Sequence, residues 1–203
     1  MERQMEYTIK FIFICLCFIV SVVSYGFCFS KRDCRYLISA TALTVVSDFF
    51  LVYRDMDYRG LYIFFTVHAA YTLRASRDKK RGAALITVIF ICLAPLYFFI
   101  DPIAAAAVMY ACFFAVNLAA NVRMYKSKNG GIPEVNKKII LTGLITFLLC
   151  DVSVILFNLP RYYEVRGTVT ETAYIVMWVF YLSSQLLLSI SGFKFKEKII
   201  NHI

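Results

Sequence analysis

Long apolar runs separated by short polar segments make up most of this chain. A helix crosses the hydrocarbon core of a bilayer when about 17–25 consecutive residues are mainly apolar. Seven runs qualify, the third being the weakest, and their short connections predict that each helix lies antiparallel to the one before it. The pattern therefore predicts an all-α fold, a polytopic membrane helix bundle that forms a single transmembrane domain over residues 1–203. The predicted transmembrane helices are 8–29, 36–53, 61–76, 83–100, 103–122, 138–158 and 173–192.

The composition supports the same class of protein. Hydrophobic residues make up 61% of the chain, which includes 19 Phe and 14 Tyr, and the mean hydropathy is +0.69. One soluble domain of this length could not bury so much apolar surface. We therefore expect a multi-pass integral membrane protein, with the cell membrane as its location.

The basic residues predict the orientation of the bundle, because cytoplasmic loops of membrane proteins collect Lys and Arg. With the N-terminus outside and the C-terminus in the cytoplasm, 16 of the 22 Lys and Arg residues fall in the inner segments. The net charge of +9 then lies mostly beside the anionic leaflet of the membrane. This explains the charge without a nucleic-acid partner.

Two aspartates lie deep inside apolar runs, Asp48 in the run 36–53 and Asp151 in the run 138–158. A charged side chain at the centre of a bilayer costs about 2.5–3.5 kcal/mol on insertion scales, so these positions require a partner or a function. No Lys or Arg is expected deep in a span, and a buried carboxyl without a counter-ion favours its protonated form. One protonated and one ionised carboxyl make an acid–base pair, so Asp48 and Asp151 are the candidate catalytic residues.

Five further polar side chains are expected to face the interior of the bundle, because exposing them to lipid is energetically unfavourable. We interpret them as candidate substrate-binding groups in one polar cavity. Hydrogen bonding between helices and ordinary packing remain alternative explanations for single members of the set. The five residues are His68, Tyr71, Asn117, Tyr181 and Gln185.

Other catalytic chemistries find little support in the chain. Only His68 lies within a predicted helix, which is too few histidines for a zinc amidase, and no GxSxG motif indicates a serine hydrolase. The seven cysteines lack CxxC spacing, so we interpret them as packing residues. The sequence predicts neither a metal site nor a cofactor.

Four segments carry a further pattern along the chain. They are VVSDFFLVY with the first Asp, GLYIFFTVHAAYTL with a His and a Tyr three apart, FLLCDVSVIL with the second Asp, and VFYLSSQLLLSIS with Tyr-x-x-x-Gln. In this order, over residues 36–192, they resemble the motifs of the YhhN family of lysoplasmalogenases. These are small polytopic enzymes, usually of eight helices, that hydrolyse the vinyl ether bond of lysoplasmalogens to a fatty aldehyde and a glycerophospho-alcohol.

The resemblance implies that Asp48 and Asp151 form the catalytic pair and that the five candidate binding residues line the site. It also implies a single-chain lipid as the substrate, which we expect to enter laterally from the bilayer. The chain departs from the family in having one helix, not two, before the Asp48 helix. In addition, Ser47 and Cys150 precede the aspartates where the family favours Gly and Ser.

A second class of protein remains open on the sequence. A small transporter or receptor-like bundle could use buried carboxylates to relay protons or cations. Against it, Pro95 is the only proline inside a predicted span, whereas secondary transporters favour paired helices broken by Gly or Pro. The sequence makes no prediction of the oligomeric state.

Overall fold

The computed structural model of the chain describes residues 2–53, 59–127, 131–158 and 167–195. These residues form helices joined by short connections, which confirms the all-α prediction. A π-helical turn, Phe49–Tyr53, continues the second helix. The helices are α1 (Glu2–Ser24), α2 (Lys31–Asp48), α3 (Arg59–Ala75), α4 (Lys79–Leu93), α5 (Leu96–Phe99), α6 (Pro102–Lys126), α7 (Glu134–Asn158) and α8 (Gly167–Ile190).

Six helical segments among the described residues are long and apolar enough to cross a membrane. The exception is α3, which has 17 residues and corresponds to the weakest of the seven predicted spans. A helical bundle suited to a membrane is therefore confirmed. The count of seven spans and the orientation of the termini stay predictions.

Several helix boundaries differ from the predicted ones; α2 begins at Lys31 and α8 at Gly167, about five and six residues before the predicted starts at 36 and 173. The first helix begins at Glu2 and ends at Ser24, earlier at both ends than the predicted range 8–29. The predicted helix 83–100 is divided into α4 and the one-turn α5 at Pro95. Proline has no backbone N–H and its ring clashes with the preceding turn, which explains the break.

Six helices close into a ring. In order around it, α1 contacts α2, α2 contacts α3, α3 contacts α6, α6 contacts α7, α7 contacts α8, and α8 contacts α1. Helix α4 packs outside the ring against α3 and α6, and among its residues only Gly82 is buried. Apolar side chains that include Phe64, Phe114, Leu144 and Phe147 fill the interior. Polar groups that point into the ring are therefore surrounded by protein on every side.

A buried ion pair closes one end of the ring. The Arg74 guanidinium, 4% exposed, donates from Nε to both carboxylate oxygens of Asp33 at 3.0 Å and from Nη2 to Oδ2 at 2.7 Å. Its Nη1 donates to Ser191 Oγ at 2.8 Å, and Asn136 Nδ2 donates to the Ser191 carbonyl oxygen at 2.8 Å. These four residues, here called the basal cluster, join α2, α3, α7 and the segment that follows α8.

We predict that Arg74→Met strongly destabilises the protein. Removing one partner of a buried ion pair leaves the other charge uncompensated, which costs about 3–5 kcal/mol. The matched control is Arg81→Met, because the Arg81 side chain is 91% exposed and its ion pair with Asp78 is worth little. Unfolding of both variants in detergent micelles, followed by circular dichroism, checks this expectation. Equal stability of the two variants would contradict a structural role for the basal cluster.

Candidate functional site

Asp48 lies where α2 changes from α-helical to π-helical geometry. Its side chain is 3% exposed, and the Tyr181 hydroxyl of α8 donates to Oδ2 at 2.6 Å. π-Helical turns are rare in proteins, and those that do occur are often found at functional sites. Two predicted site residues, 133 positions apart in the chain, are therefore joined by a hydrogen bond.

The start of α3 fixes the position of this end of α2. Ser47 Oγ donates to the carbonyl oxygen of Gly60 at 2.7 Å. The two helices approach so closely that a Cβ at Gly60 would lie 2.5 Å from Leu51 Cγ and 3.0 Å from the Ser47 carbonyl oxygen. Glycine at this position therefore allows the contact that supports the turn next to Asp48.

Asp151, on α7, is bound in the same manner by a tyrosine of another helix. The Tyr110 hydroxyl of α6 lies 2.9 Å from Oδ1 and 2.8 Å from Oδ2 and donates to the carboxylate. The Asp151 side chain is half-buried, whereas Asp48 is buried. The sequence analysis missed Tyr110, although it lies seven residues before Asn117 and so on the same stripe of α6.

The two carboxyl groups have different hydrogen-bonding partners, and α7 contacts both groups of residues. Asp151 is on α7 itself, and the ring of Phe147, one turn earlier on the same helix, contacts the Tyr181 ring at a centroid distance of 5.7 Å. The turn of α7 that leads to Asp151 therefore packs against the tyrosine that binds Asp48.

His68 occupies the interior of the ring and is 1% exposed. Asn117 Nδ2 lies 3.2 Å from His68 Nδ1, and Asn121 Nδ2 donates to Asn117 Oδ1 at 2.7 Å. The imidazole contacts the Tyr110 ring at 5.1 Å and the Phe147 ring at 5.7 Å. His68 therefore directly contacts the tyrosine that binds Asp151.

Five of the seven candidate residues belong to three separate hydrogen-bonded groups, not to the single polar cavity that we expected. Tyr71 and Gln185 are also buried in the ring, and the Tyr71 hydroxyl has no hydrogen-bonding partner among the described residues. Aromatic rings fill the space between the groups, which explains the difference. The groups are Asp48 with Tyr181, Asp151 with Tyr110, and His68 with Asn117 and Asn121.

One expectation about charge was wrong. Lys10 lies within the apolar segment Met5–Ser24, and its side chain is buried. Its ammonium group pairs with Glu6, donates to the Tyr174 hydroxyl at 3.0 Å and lies 3.9 Å from the Trp178 ring centroid. Aromatic faces stabilise a cation by cation–π attraction, so Glu6 and the aromatic side chains hold this lysine without either candidate aspartate.

A groove of about 550 Å³ runs along the outside of α3, between α2 on one side and α4 and α5 on the other. Its lining is almost entirely apolar and includes none of the candidate site residues. Within the described part of the chain, no three His, Cys, Asp or Glu side chains cluster to form a metal site.

Comparison of the chain with models of protein families, with curated proteins and with solved structures finds no match. The resemblance to the YhhN family therefore stays a hypothesis that rests on the four sequence segments.

We predict that Gly60→Ala lowers the thermal stability of the protein and disturbs the turn next to Asp48. The added methyl group would meet Leu51 and the backbone of Ser47, so the two helices would have to separate. Gly167→Ala is the control, because a Cβ at that position meets nothing within 4 Å. Thermal unfolding in detergent measures both, and a Gly60→Ala variant as stable as the control would refute the close contact.

Proposed function

We propose that this protein is an integral membrane hydrolase that cleaves the vinyl ether bond of lysoplasmalogens, with Asp48 and Asp151 as its acid–base pair. The observation that carries the proposal is the pair of carboxyl groups inside a ring of apolar helices, each bound by a tyrosine hydroxyl from another helix. The resemblance of the four sequence segments to lysoplasmalogenases supplies the reaction.

The chemistry of a vinyl ether matches a pair of carboxyl groups. A carboxylic acid gives a proton to the carbon remote from the ether oxygen, and the adjacent carbon becomes part of an oxocarbenium ion. Water adds to that ion while a carboxylate accepts the proton that the water loses. The resulting hemiacetal breaks its bond to the glycerol oxygen, which takes up a proton. One water is consumed, and a fatty aldehyde and an alcohol are released without an oxidant or a reductant.

The surroundings of the two carboxyl groups suit one acting as the acid and the other as the base. Asp48 is 3% exposed, whereas Asp151 is half-buried. Acid and base catalysts of the same residue type are commonly held in unlike environments within one enzyme. The tyrosine hydroxyls restrain both side chains, which keeps each carboxyl oriented for proton transfer.

The fold also suits a substrate that resides in the membrane. A single-chain lipid in the bilayer is already beside the helices, and the Asp151 side chain is only half-buried and so partly accessible. We therefore propose that the lipid enters laterally from the bilayer. No metal or cofactor takes part in the proposed reaction.

We predict that Asp48→Asn and Asp151→Asn each lower aldehyde release at least about 100-fold, since general acid–base groups contribute about 10²–10⁴-fold to rates. Asparagine keeps the size of the side chain and can still accept a hydrogen bond from tyrosine, so folding should be retained. The assay incubates the purified protein with a lysoplasmalogen and measures the fatty aldehyde. Glu171→Gln, which removes an exposed carboxylate from α8, is the matched control.

Two related lipids make the assay specific. A lysolipid with a saturated ether lacks the double bond that accepts the proton, and an ester lysolipid would release a fatty acid in place of an aldehyde. We expect neither to be cleaved. Hydrolysis of the ester at a similar rate, or wild-type activity in both Asp variants, would contradict the proposal. Aspartate-dependent flux of protons or cations into liposomes, without aldehyde release, would favour the transporter alternative.

A further inference from the structure

The imidazole of His68 presents a buried nitrogen that no group in the described part of the chain satisfies. The side chain is 1% exposed, and Nε2 has no hydrogen-bonding partner among the described residues. A buried polar group without a partner is unfavourable, and native proteins contain few of them. Such a group in the interior of a candidate site is a candidate for an interaction with a bound ligand.

Two asparagines determine which nitrogen of His68 carries the hydrogen. Asn117 Oδ1 accepts from Asn121 Nδ2 at 2.7 Å, so Asn117 turns its Nδ2 toward His68 Nδ1, at 3.2 Å. An amide NH₂ group only donates, and His68 Nδ1 must therefore be the unprotonated acceptor. A neutral imidazole then carries its hydrogen on Nε2. The unsatisfied nitrogen is consequently an N–H donor.

The immediate surroundings offer that donor little except aromatic surface. The rings of Phe64, Tyr110, Phe114 and Phe147 lie with their centroids 4.9–5.7 Å from the imidazole. The hydroxyl of Tyr110 is already engaged as a donor to Asp151. The surroundings of the donor are therefore apolar, and the single N–H is suited to an oxygen atom.

We infer that His68 Nε2–H binds an oxygen of the glycerol portion of a single-chain lipid, either the ether oxygen or a hydroxyl, and that Asn117 and Asn121 are positioning residues that keep the imidazole in this tautomer. The inference rests on the proposed function in taking a lipid as the ligand, and it names the atom that the site recognises. An N–H donor in an aromatic wall distinguishes a lipid that carries an oxygen at this depth from a plain hydrocarbon, because only the former satisfies the donor.

The chain is well suited to a direct test, because His68 and His202 are its two histidines. The protein is labelled with ¹⁵N-histidine, and His202→Gln removes the second signal. In detergent without lipid, the nitrogen spectrum should report a neutral His68 with the hydrogen on Nε2. In Asn117→Leu, which removes the donor to Nδ1, the two tautomers should mix. A wild-type spectrum with the hydrogen on Nδ1, or a doubly protonated ring, would overturn the inference.

The ligand is tested with two probes that share a chain length. One is a lysophosphatidylethanolamine with a saturated hexadecyl ether, which has the glycerol oxygens but no cleavable double bond, and the other is hexadecane. The ether lipid should shift the Nε2 and proton resonances of His68, and hexadecane should leave them in place. Equal shifts with both probes, or none with either, would refute the recognition of an oxygen and indicate an N–H that merely faces an aromatic ring.

This binding experiment separates the inference from the proposed function. Neither probe can be hydrolysed as a vinyl ether, so a shift with the ether lipid supports the binding site even when the protein releases no aldehyde. If the protein is an active hydrolase, Asn121→Leu should lower its turnover by about tenfold, because the variant loses the hydrogen bonds that Asn121 Nδ2 donates to Asn117 Oδ1 and to the Asn117 carbonyl oxygen. Asn158→Leu is the matched control, because Asn158 Nδ2 bonds only within its own helix, to the Val154 carbonyl oxygen. A tautomer unchanged in Asn121→Leu together with a loss of activity equal to that of the control would refute the positioning role.

Discussion

In this ring of apolar helices, both aspartate carboxyls and the His68 imidazole have hydrogen-bonding partners on other helices, and this constraint organises the structure. Neither lipid nor packed aromatic rings can satisfy a carboxyl or an amide. The Tyr181–Asp48 bond therefore joins α8 to α2, and the Tyr110–Asp151 bond joins α6 to α7. His68 joins α3 to α6 through Asn117. The same bonds that hold the ring together orient the groups for which we propose a chemical role.

Much of the fold could be predicted because the length of an apolar run and the position of a helix are directly related. Pro95 in the sequence marks the break between α4 and α5. Nothing in the sequence places α4 on the outside of the ring. The hydropathy of a helix indicates that it is shielded from water, but not whether lipid or protein surrounds it. Lys10 was misjudged because its partners, Glu6 and the aromatic residues of α8, are recognisable only after α1 and α8 are in contact.

The candidate site was predictable to a smaller extent. Asp48 and Asp151 stood out because a carboxyl in an apolar run is costly. Tyr181 followed from its motif, but Tyr110 is one of 14 tyrosines, and its partner is 41 residues away in the sequence. Contacts of this range depend on the order of helices around the ring, in which α6 and not α4 follows α3. The order of the helices around the ring cannot be predicted from a single sequence.

The most direct test of the proposed chemistry is the mass of the fatty aldehyde that the protein releases from a lysoplasmalogen in heavy water. If a carboxyl group protonates the vinyl ether carbon, the product carries one deuterium on the carbon next to the aldehyde group. An aldehyde without deuterium at that carbon, or the absence of any aldehyde from a folded protein, would contradict the account of Asp48 and Asp151 as an acid–base pair.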